Sequence, residues 1–510
     1  MLDSIRNTSK HSAVYALGNI AAKIIGIILI PIYTDPQFLS QVDFGALAIL
    51  EASAQVLTGV FAMAMTSSLQ RWYWDENYAS DQKSIYFSTL ALLVVINLPL
   101  FSLMATQATW FSSIIFDTEA FRYLIRLTLL TAGIRIINNQ MQLVLRLRSK
   151  SVYYTTLQVS KLAITLVLTI WFVVGKGKGL EGIWEAAVIG EMAVFLFILP
   201  FTLRNVELRI HLKVLKEMMT YGYPLMLSTA SILVLTVTDR YMLKFLSGLE
   251  ATAVYAIGLR LANTLNMVIS TSLHSALAPL RMKMINREDN HRFYSKVLTY
   301  SSYAFVLGFL ALSLFSLELL KVFTSDPNYW AANSIIPILS MAFLLMLMRQ
   351  STNIGLIIKK KTRIIAVLMF STTVINLALN YILIPVMDIY GAALATLLSQ
   401  LILFIAICSA SQKAYKIPYE WRKIGVMIFL LILFVGAGLL MGSLPVVLRL
   451  FLKMMLFISF PFVLGLFGFY EDAEKKAIGK IVRLWKDPRN LGKNIKRLLS
   501  PGKDDPPAPA

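Results

Sequence analysis

Charged side chains interrupt several long apolar stretches of this 510-residue sequence, and packing alone does not explain them. An ionisable group inside a bilayer is costly, so each of these residues is a candidate functional residue. The cations in the apolar stretches are Lys23, Arg126, Arg135, Lys161, Arg240, Lys244, Arg260 and Arg349. The acids are Glu51, Glu185, Glu191 and Asp239.

The balance of these charges is cationic, which favours an anionic ligand. A guanidinium group binds phosphate oxygens through a planar fork of donors, whereas an ammonium group acts as a compact point charge. We therefore predict a cationic cavity suited to phosphate or diphosphate. The predicted substrate-binding residues are Arg260, Lys23, Arg135, Lys161 and Arg240.

Depth along the helices predicts two ion pairs. If the first helix runs outward and the second inward, Lys23 and Glu51 lie within about one turn of each other. By the same reasoning Asp239 and Arg260 lie at a similar depth. Two interpretations stay open, because such pairs can fix helix register or line a cavity. Asp239, Glu51 and Glu191 are also the candidates for ion coupling, since a carboxylate in a low dielectric can take up a proton near neutral pH.

The composition explains why these charges lie within a membrane. Hydrophobic residues make up 57% of the sequence and charged residues 15%, a balance that soluble proteins rarely show. Apolar runs of about 20 residues, enough for a transmembrane helix, recur along the chain. We predict an all-α polytopic membrane protein with about 14 transmembrane helices. Their approximate bounds are 12–33, 44–66, 84–106, 123–145, 152–174, 182–203, 223–245, 251–274, 297–320, 334–357, 363–385, 389–411, 422–441 and 447–469.

The remaining charge pattern sets the orientation and excludes several classes of protein. Lys and Arg cluster in alternate loops and in the C-terminal tail, which predicts that both termini are cytoplasmic. Anionic lipid headgroups then account for the net charge of +20 without nucleic acid. The single cysteine, Cys408, excludes a disulfide framework and a cysteine metal cluster. No P-loop, dinucleotide-binding glycine loop or His-x-x-x-His pair occurs, so we expect no cofactor, no metal site and no enzymatic activity.

An internal repeat relates the two halves of the chain. Segment 145–150, LRLRSK, matches segment 356–361, LIIKKK, at a spacing of 211 residues, and Gly182 and Gly391 begin matching helices at an offset of 209. Chance similarity between apolar helices is the alternative explanation. Shifted by 211 residues, Glu51 falls two residues from Arg260, so both halves carry charge at related positions.

A parallel repeat of six helices produces two lobes around a pseudo-twofold axis along the membrane normal, with a cavity between them. We therefore predict an N-terminal six-helix lobe at 1–206 and a C-terminal six-helix lobe at 207–415. Two further transmembrane helices occupy 416–470, and 471–510 form a basic cytoplasmic tail.

Several short motifs agree with one known family. The second half contains Tyr221-Gly222-Tyr223-Pro224-Leu225, Thr238-Asp239-Arg240-Tyr241 and Val254-Tyr255-Ala256-Ile257-Gly258. The first half contains Tyr15-Ala16-Leu17-Gly18-Asn19, Pro31, Phe44-Gly45 and Arg71-Trp72-Tyr73. Over roughly residues 8 to 470 this pattern resembles the Wzx-type polysaccharide flippases of the multidrug/oligosaccharidyl-lipid/polysaccharide exporter superfamily.

The resemblance implies a flippase that is not an enzyme and works by alternating access in the bacterial inner membrane. The implied cargo is an undecaprenyl-diphosphate-linked oligosaccharide, such as a repeat unit of O-antigen, capsule or exopolysaccharide. Lipid II flippases of the superfamily carry cavity cations on the matching helices, which makes Arg260 the first expected substrate contact and Lys23 the second. The expected partners are the lipid-linked glycan, membrane lipids, and polysaccharide polymerase or other assembly proteins.

Three other functions stay open at this point. A peptidoglycan-precursor (lipid II) flippase would share the cargo chemistry and the helix count. A multidrug or cation antiporter would share the fold, although such proteins generally use an acidic cavity. A membrane glycan polymerase or ligase belongs to another class and usually has a sizeable periplasmic loop, for which the predicted loops leave no room.

Overall fold

The computed structural model describes residues 28–285 and 287–472, and over these residues the chain is helical, without a β-strand. The described residues form eighteen α-helices. They are α1 Ile30–Tyr33, α2 Gln41–Phe61, α3 Met65–Trp72, α4 Gln82–Thr106, α5 Ala108–Phe116, α6 Arg122–Leu147, α7 Ser151–Ile170, α8 Gly179–Arg204, α9 Leu212–Ser247, α10 Leu249–Asn266, α11 Ser272–Lys283, α12 Asn290–Phe323, α13 Ile336–Thr352, α14 Ile354–Ile358, α15 Thr362–Met387, α16 Ile389–Ala414, α17 Trp421–Leu440 and α18 Val446–Leu466.

Short segments of other helix types extend or connect these elements. Two are π-helical: Trp171–Gly175 continues α7, and Met267–Thr271 joins α10 to α11. Three are 3₁₀-helical, namely Glu76–Tyr78, Pro327–Ser334 and Met441–Ser443. The π-helical segment after α10 makes the chain helical from Leu249 to Lys283 without a break. Such local changes of helix type often occur at functional sites.

Eleven helical segments of the described chain are long and apolar enough to cross a membrane. Two further predicted spans, 123–145 and 251–274, are helical throughout but are not among these eleven; the first contains Arg126 and Arg135, and the second contains Arg260. Most of the predicted span 12–33 lies outside the described residues, and its end is helical as α1. The prediction of an all-α polytopic membrane fold is confirmed.

The packing of the helices repeats along the chain. In the first half α2 and α4 pack on α6, α6 packs on α8, and α8 packs on α7. In the second half α10 and α12 pack on α13, α13 packs on α16, and α16 packs on α15. The two halves of the chain thus share one order of neighbouring helices. It gives α2 and α10 equivalent places, and these two helices pack on each other.

Helix α2 is fixed at its start by a capping box. The Asp43 backbone N donates to Ser40 Oγ over 3.1 Å, and the Ser40 backbone N donates to Asp43 Oδ2 over 3.2 Å. These bonds satisfy amide groups that the first turn of a helix leaves unpaired. The residues from Phe44 to Leu50 are then all buried, so α2 runs through the middle of the bundle and carries Glu51 with it.

A single glycine joins α9 to α10. Gly248 has a φ of 96°, in the left-handed region that only glycine adopts without strain. The turn reverses the chain within one residue, so α10 runs back beside α9. Arg260 on α10 and Arg240 on α9 are thereby brought to the same part of the bundle.

The chain divides into two compact units, and the described part of the second comprises residues 420–472. In its described part α17 and α18 pack together, with the rings of Phe434 and Phe460 edge-to-face at 5.3 Å between centroids. Lys423 Nζ pairs with Glu420 Oε1 over 2.8 Å at the beginning of α17. Apart from its first two residues, the predicted basic tail at 471–510 lies outside the described residues.

Candidate functional site

A cavity of about 790 Å³ lies among α2, α6, α8, α9 and α10. Its charged lining residues, within the described part of the chain, are Glu51, Arg135, Arg240 and Arg260. Three cations and one carboxylate thus face the same space. The remaining lining is largely apolar, with a few neutral polar groups such as Gln55. Because apolar walls screen charge poorly, the positive potential of this cavity is stronger than the same charges would produce in water.

Arg260 pairs with Glu51 across the cavity. Its Nη2 donates to Glu51 Oε1 over 3.0 Å and to Oε2 over 2.9 Å. The guanidinium also lies 5.6 Å from the ring centroid of Phe44 and 5.9 Å from that of Tyr33. The two side chains remain accessible, with 22% of Arg260 and 43% of Glu51 exposed. This pair joins the first predicted lobe to the second.

The predicted pairing of Asp239 with Arg260 is therefore wrong. Asp239 is buried, and its Oδ2 accepts a hydrogen bond from the Tyr255 hydroxyl of α10, while its Oδ1 accepts from the Arg240 backbone N over 2.9 Å. The face of α9 that carries Asp239 points at Tyr255 and not at Arg260. The other predicted pair, Lys23 with Glu51, involves a residue outside the described range.

Arg240 is the cavity cation with the fewest contacts. Its Nη2 lies 3.4 Å from the Thr236 carbonyl oxygen, and its Nε makes no hydrogen bond to any described residue. It forms no salt bridge within the described part of the chain. A guanidinium with unused donors at a cavity wall is suited to receive an anionic group.

Arg135 belongs to a cluster built on Glu191. The Glu191 side chain is buried, and its Oε1 accepts from Arg135 Nε over 2.8 Å and from Lys161 Nζ. Asn138 Nδ2 donates to Glu191 Oε2 over 3.0 Å. Two cations share one carboxylate, so the cluster keeps a net positive charge beside the cavity. Arg135 reaches the lining, whereas Lys161 is not among the lining residues.

Three contacts join the two predicted lobes toward the end of the bundle at which α2 and α10 begin. Ser53 Oγ and the Tyr241 hydroxyl lie 2.6 Å apart, and Lys244 Nζ pairs with Asp117 Oδ2 over 2.5 Å. Gln41 Nε2 donates to the Glu250 carbonyl oxygen over 3.2 Å. The charge distribution in the loops predicts that this end is the outer one, and we call these contacts the outer closure.

The outer closure requires a glycine at position 45. A Cβ atom added there would lie 2.0 Å from the Leu249 carbonyl oxygen, far closer than any real contact. The absence of a side chain lets α2 touch the beginning of α10 directly. Phe44 beside it packs edge-to-face on Tyr329 at 5.8 Å between ring centroids.

Three residues outside the predicted site contact its charged or neighbouring groups. Tyr255 and Asn138 hold the two buried carboxylates, and Tyr241 takes part in the outer closure. Two signals pointed to them. Tyr255 and Tyr241 lie within the motifs of the resemblance, and Asn138 follows Arg135 by three residues, which places both on one helix face.

Sequence comparison identifies the family. Residues 9–286 match the family described as polysaccharide biosynthesis protein, and residues 224–382 match the MatE family. The first match covers more than half of the chain. No curated protein sequence matches the chain.

Structural comparison gives the fold. The lipid II flippase MurJ, in an inward closed conformation, aligns with a TM-score of 0.73 and 13% identity, over 88% of this chain and 98% of that chain. An inward-facing multidrug resistance MATE family transporter of the MOP superfamily aligns with a TM-score of 0.60 and 18% identity, over 78% and 93%. A MOP superfamily transporter from Pyrococcus furiosus, described by a reversed polarity of its binding pocket, aligns with a TM-score of 0.53 and 16% identity, over 79% and 92%.

These matches confirm the resemblance inferred from the motifs. The matched families and structures are membrane transporters and flippases. In this chain, charged residues from both halves of the sequence line one cavity. This chain is a multi-pass membrane protein with the fold of the MOP superfamily, and it belongs to the polysaccharide biosynthesis protein family.

Proposed function

We propose that this protein is a flippase that moves an undecaprenyl-diphosphate-linked oligosaccharide across the bacterial inner membrane. The observation that carries the proposal is the cavity whose described lining contains Arg135, Arg240 and Arg260 and one carboxylate, that of Glu51. A net positive charge within a membrane protein is costly unless a ligand compensates it. A diphosphate offers the matching charge and the oxygen atoms that guanidinium groups bind best.

The size of the cavity fits the polar part of such a cargo. A volume of about 790 Å³ lies within the range of roughly 300–1,000 Å³ that small-molecule sites occupy. This space suits a diphosphate with its first sugars, while the polyprenyl chain stays in lipid. Neutral polar lining residues such as Gln55, Asn263 and Thr264 provide hydrogen-bond partners for sugar hydroxyls.

The pair between Glu51 and Arg260 gives the cargo a way to act on the outer closure. An ion pair this accessible contributes about 1 kcal/mol or less. A diphosphate that binds Arg260 competes with Glu51 for the same donors, and the charge link between the lobes is then released. Binding of cargo thereby shifts the population toward a state with the outer end open, because in that state Arg260 donates to the cargo and not to Glu51.

The three predicted ion-coupling residues differ in how firmly other residues already bind their carboxylates. Glu51 lines the cavity and becomes free when cargo binds, so it is the carboxylate best placed to take up a cation or proton. Asp239 is held by Tyr255, and Glu191 is held by two cations, so both mainly position the arginines beside them. We further propose that both termini are cytoplasmic and that a polysaccharide polymerase or another assembly protein receives the product.

A lipid II flippase is the second candidate, favoured by the extent of the structural match to MurJ. It requires the same diphosphate contacts, and only the glycan differs. The charge of the cavity lining does not favour an antiporter of organic cations. The helical bundle described here also offers no extramembrane domain of the kind that a glycan polymerase or ligase uses.

A strain that lacks the protein provides the test. Cells would be complemented with the wild type, Arg240→Gln, Arg260→Gln or the control Arg287→Gln, whose side chain is exposed and pairs with Asp289 in a loop. We expect undecaprenyl-linked glycan to accumulate without the protein and to be cleared by the wild type and the control only. Accumulation of lipid II would instead support the second candidate. Normal glycan export together with sensitivity to organic cations would contradict both.

A further inference from the structure

A second charged cavity lies between α3 and the beginning of α9. It has a volume of about 530 Å³ and is open to the surface, and it shares no lining residue with the large cavity described above. We call it the basic pocket. Its lining includes Arg71 and Trp72 of α3 and Lys213, Lys216, Glu217 and Tyr221 of α9. Two of the motifs singled out in the sequence, one from each half of the chain, thus meet at this pocket.

Packing between α3 and α9 holds the wall of the basic pocket in place. Ser68 Oγ donates to the Met218 carbonyl oxygen over 3.0 Å, and Trp72 and Met218 belong to one buried hydrophobic cluster. A Cβ atom added at Gly222 would lie 3.0 Å from the Met63 carbonyl oxygen, so the backbones also approach closely. The pocket is therefore part of a fixed contact between the two halves of the chain.

Arg71 is positioned by two aromatic rings. Its guanidinium carbon lies 5.0 Å from the ring centroid of Trp72 and 4.6 Å from that of Tyr221. Contacts of this kind stabilise a cation and restrict its orientation, but they do not consume its N–H donors. The Arg71 side chain forms no hydrogen bond or salt bridge with a residue that the structure describes. A guanidinium with fixed position and unused donors is suited to bind a phosphate group.

The charge of the basic pocket is not balanced by its own carboxylate. Lys213 and Lys216 lie on one face of α9, three residues apart, and neither forms a salt bridge within the described part of the chain. Glu217 Oε2 accepts a hydrogen bond from the Tyr78 hydroxyl over 3.3 Å. Three positive charges and one negative charge therefore surround the pocket, which favours an anionic ligand.

The lengths of the helices place the basic pocket at the level of the lipid headgroups. The apolar span that ends at Trp72 has 32 residues, and α9 has 36. At about 1.5 Å per residue they reach up to roughly 48 and 54 Å, well beyond a hydrocarbon core of about 30 Å. Arg71 lies at the end of the first, and Lys213 and Lys216 lie in the first turns of the second. Trp and Tyr residues are also typical of this interfacial level.

We propose that the basic pocket binds the phosphate headgroup of an anionic phospholipid. Arg71 donates to the phosphate, whereas Lys216 and Lys213, one and two turns farther along α9 from Tyr221, attract the headgroup by their charge. Basic pockets between helices at a membrane surface bind anionic headgroups in this way. The acyl chains stay in the bilayer, where they need no pocket.

A phospholipid at this position contacts α3 and α9 together. A ligand that binds the folded protein and not the unfolded chain stabilises it in proportion to the logarithm of its concentration. The stability of this contact between the two halves therefore depends on the amount of anionic lipid in the membrane. The inference does not rest on the proposed cargo or on the arginines of the large cavity.

Thermal unfolding of the purified protein in detergent tests the site. Wild type, Arg71→Gln and the exposed control Arg287→Gln would be titrated with short-chain phosphatidylglycerol, with phosphatidylcholine and with inorganic phosphate. We expect phosphatidylglycerol to raise the Tm of the wild type and the control by a few degrees. One basic residue near a membrane surface contributes about 1 kcal/mol, so Arg71→Gln should need a roughly 5-fold higher concentration for the same rise.

Three results would overturn the proposal. An equal response of Arg71→Gln and the wild type would show that the lipid binds elsewhere. A rise of the same size with phosphatidylcholine or with inorganic phosphate would show that an anionic lipid is not what the protein recognises. Tighter binding of a polyprenyl diphosphate, weakened by Arg71→Gln and unchanged in Arg240→Gln, would assign the pocket to the cargo instead.

A second variant keeps the test decisive if Arg71→Gln does not fold. Lys213→Gln/Lys216→Gln leaves Arg71 and both rings in place and should raise the required concentration of phosphatidylglycerol by roughly 25-fold. The matched control Lys360→Gln/Lys361→Gln removes two exposed lysines from another basic loop. Equal weakening in the two double variants would show general attraction of lipid to basic loops and would exclude a specific site.

Discussion

The three arginines of the large cavity differ in how firmly the protein already binds them. Arg135 is held by the buried carboxylate of Glu191, and Arg260 is held by the accessible carboxylate of Glu51. Among the described residues, Arg240 makes one hydrogen bond through its side chain, a long one to the Thr236 carbonyl oxygen. Cargo phosphate can therefore bind Arg240 without displacing any partner, which makes this residue the main anchor in our account.

Substitution Arg240→Gln isolates this contribution. A hydrogen bond to a charged group contributes about 1.5–3 kcal/mol, so we expect a polyprenyl diphosphate to bind roughly 10- to 100-fold more weakly. The Tm is expected to change little, because Arg240 forms no salt bridge with the residues that the structure describes. Titration of purified variants with the diphosphate measures the affinity, with Arg287→Gln as the control. Unchanged affinity would remove Arg240 from the site.

Substitution Glu191→Gln tests the cluster around Arg135. The change leaves Arg135 and Lys161 beside each other without their shared carboxylate. Loss of one partner from a buried ion pair costs about 3–5 kcal/mol, and we expect a loss of this order in the free energy of unfolding. The double variant Glu191→Gln/Lys161→Met removes the repulsion and should recover part of the loss. A single variant as stable as the wild type would contradict the structural role of Glu191.

At the residue scale the sequence predicted the charges but not their partners. Every described cation in the predicted site lies at the cavity or in the cluster beside it, because only a functional or paired role makes a charge tolerable in apolar helices. Sequence position fixes the depth of a residue along a helix. It does not fix the direction in which a side chain points around the helix axis. For that reason the sequence predicts Arg260 as the partner of Asp239, whereas in the structure the partner is Tyr255.

At the scale of elements, residues related by the internal repeat meet one another. Glu51 pairs with Arg260, and Gln41 donates to the Glu250 carbonyl, and both pairs are separated by 209 residues. The same offset relates Gly182 to Gly391. Equivalent positions of the two predicted lobes would approach each other only next to the predicted axis between them. Applied to α2 and α10, an offset of 209 residues pairs Glu51 with Arg260. The offset of 211 residues, taken from the basic loops, misses this pairing by two residues.

Substitution Gly45→Ala tests the contact between α2 and α10. A methyl group would meet the Leu249 carbonyl, so the outer closure should loosen. In a background with Cys408→Ala, cysteines at positions 41 and 250 would report the separation by disulfide cross-linking. We expect markedly slower cross-linking in Gly45→Ala. The control Gly436→Ala on α17 has open space around its Cβ position and should behave as the parent.

At the scale of the whole molecule, composition and periodicity were sufficient for the fold. Length and apolarity of the helices identify membrane spans, and short motifs identify the family. The chemical identity of the glycan stays beyond such reasoning, because sugars are recognised by a few neutral polar groups whose geometry depends on the assembled cavity. The charge of the cavity is the property that sequence and structure report in common, and it determines the class of cargo that we propose.

The most direct test of that claim is translocation by the purified protein in liposomes. A fluorescent undecaprenyl-diphosphate-linked oligosaccharide in the inner leaflet is protected from an external quencher until it is moved outward. Our account predicts that the wild type and Arg287→Gln remove this protection, whereas Arg240→Glu, which reverses one cavity charge, does not. Equal loss of protection with Arg240→Glu, or none with the wild type, would contradict a cationic cavity that carries a diphosphate-linked glycan.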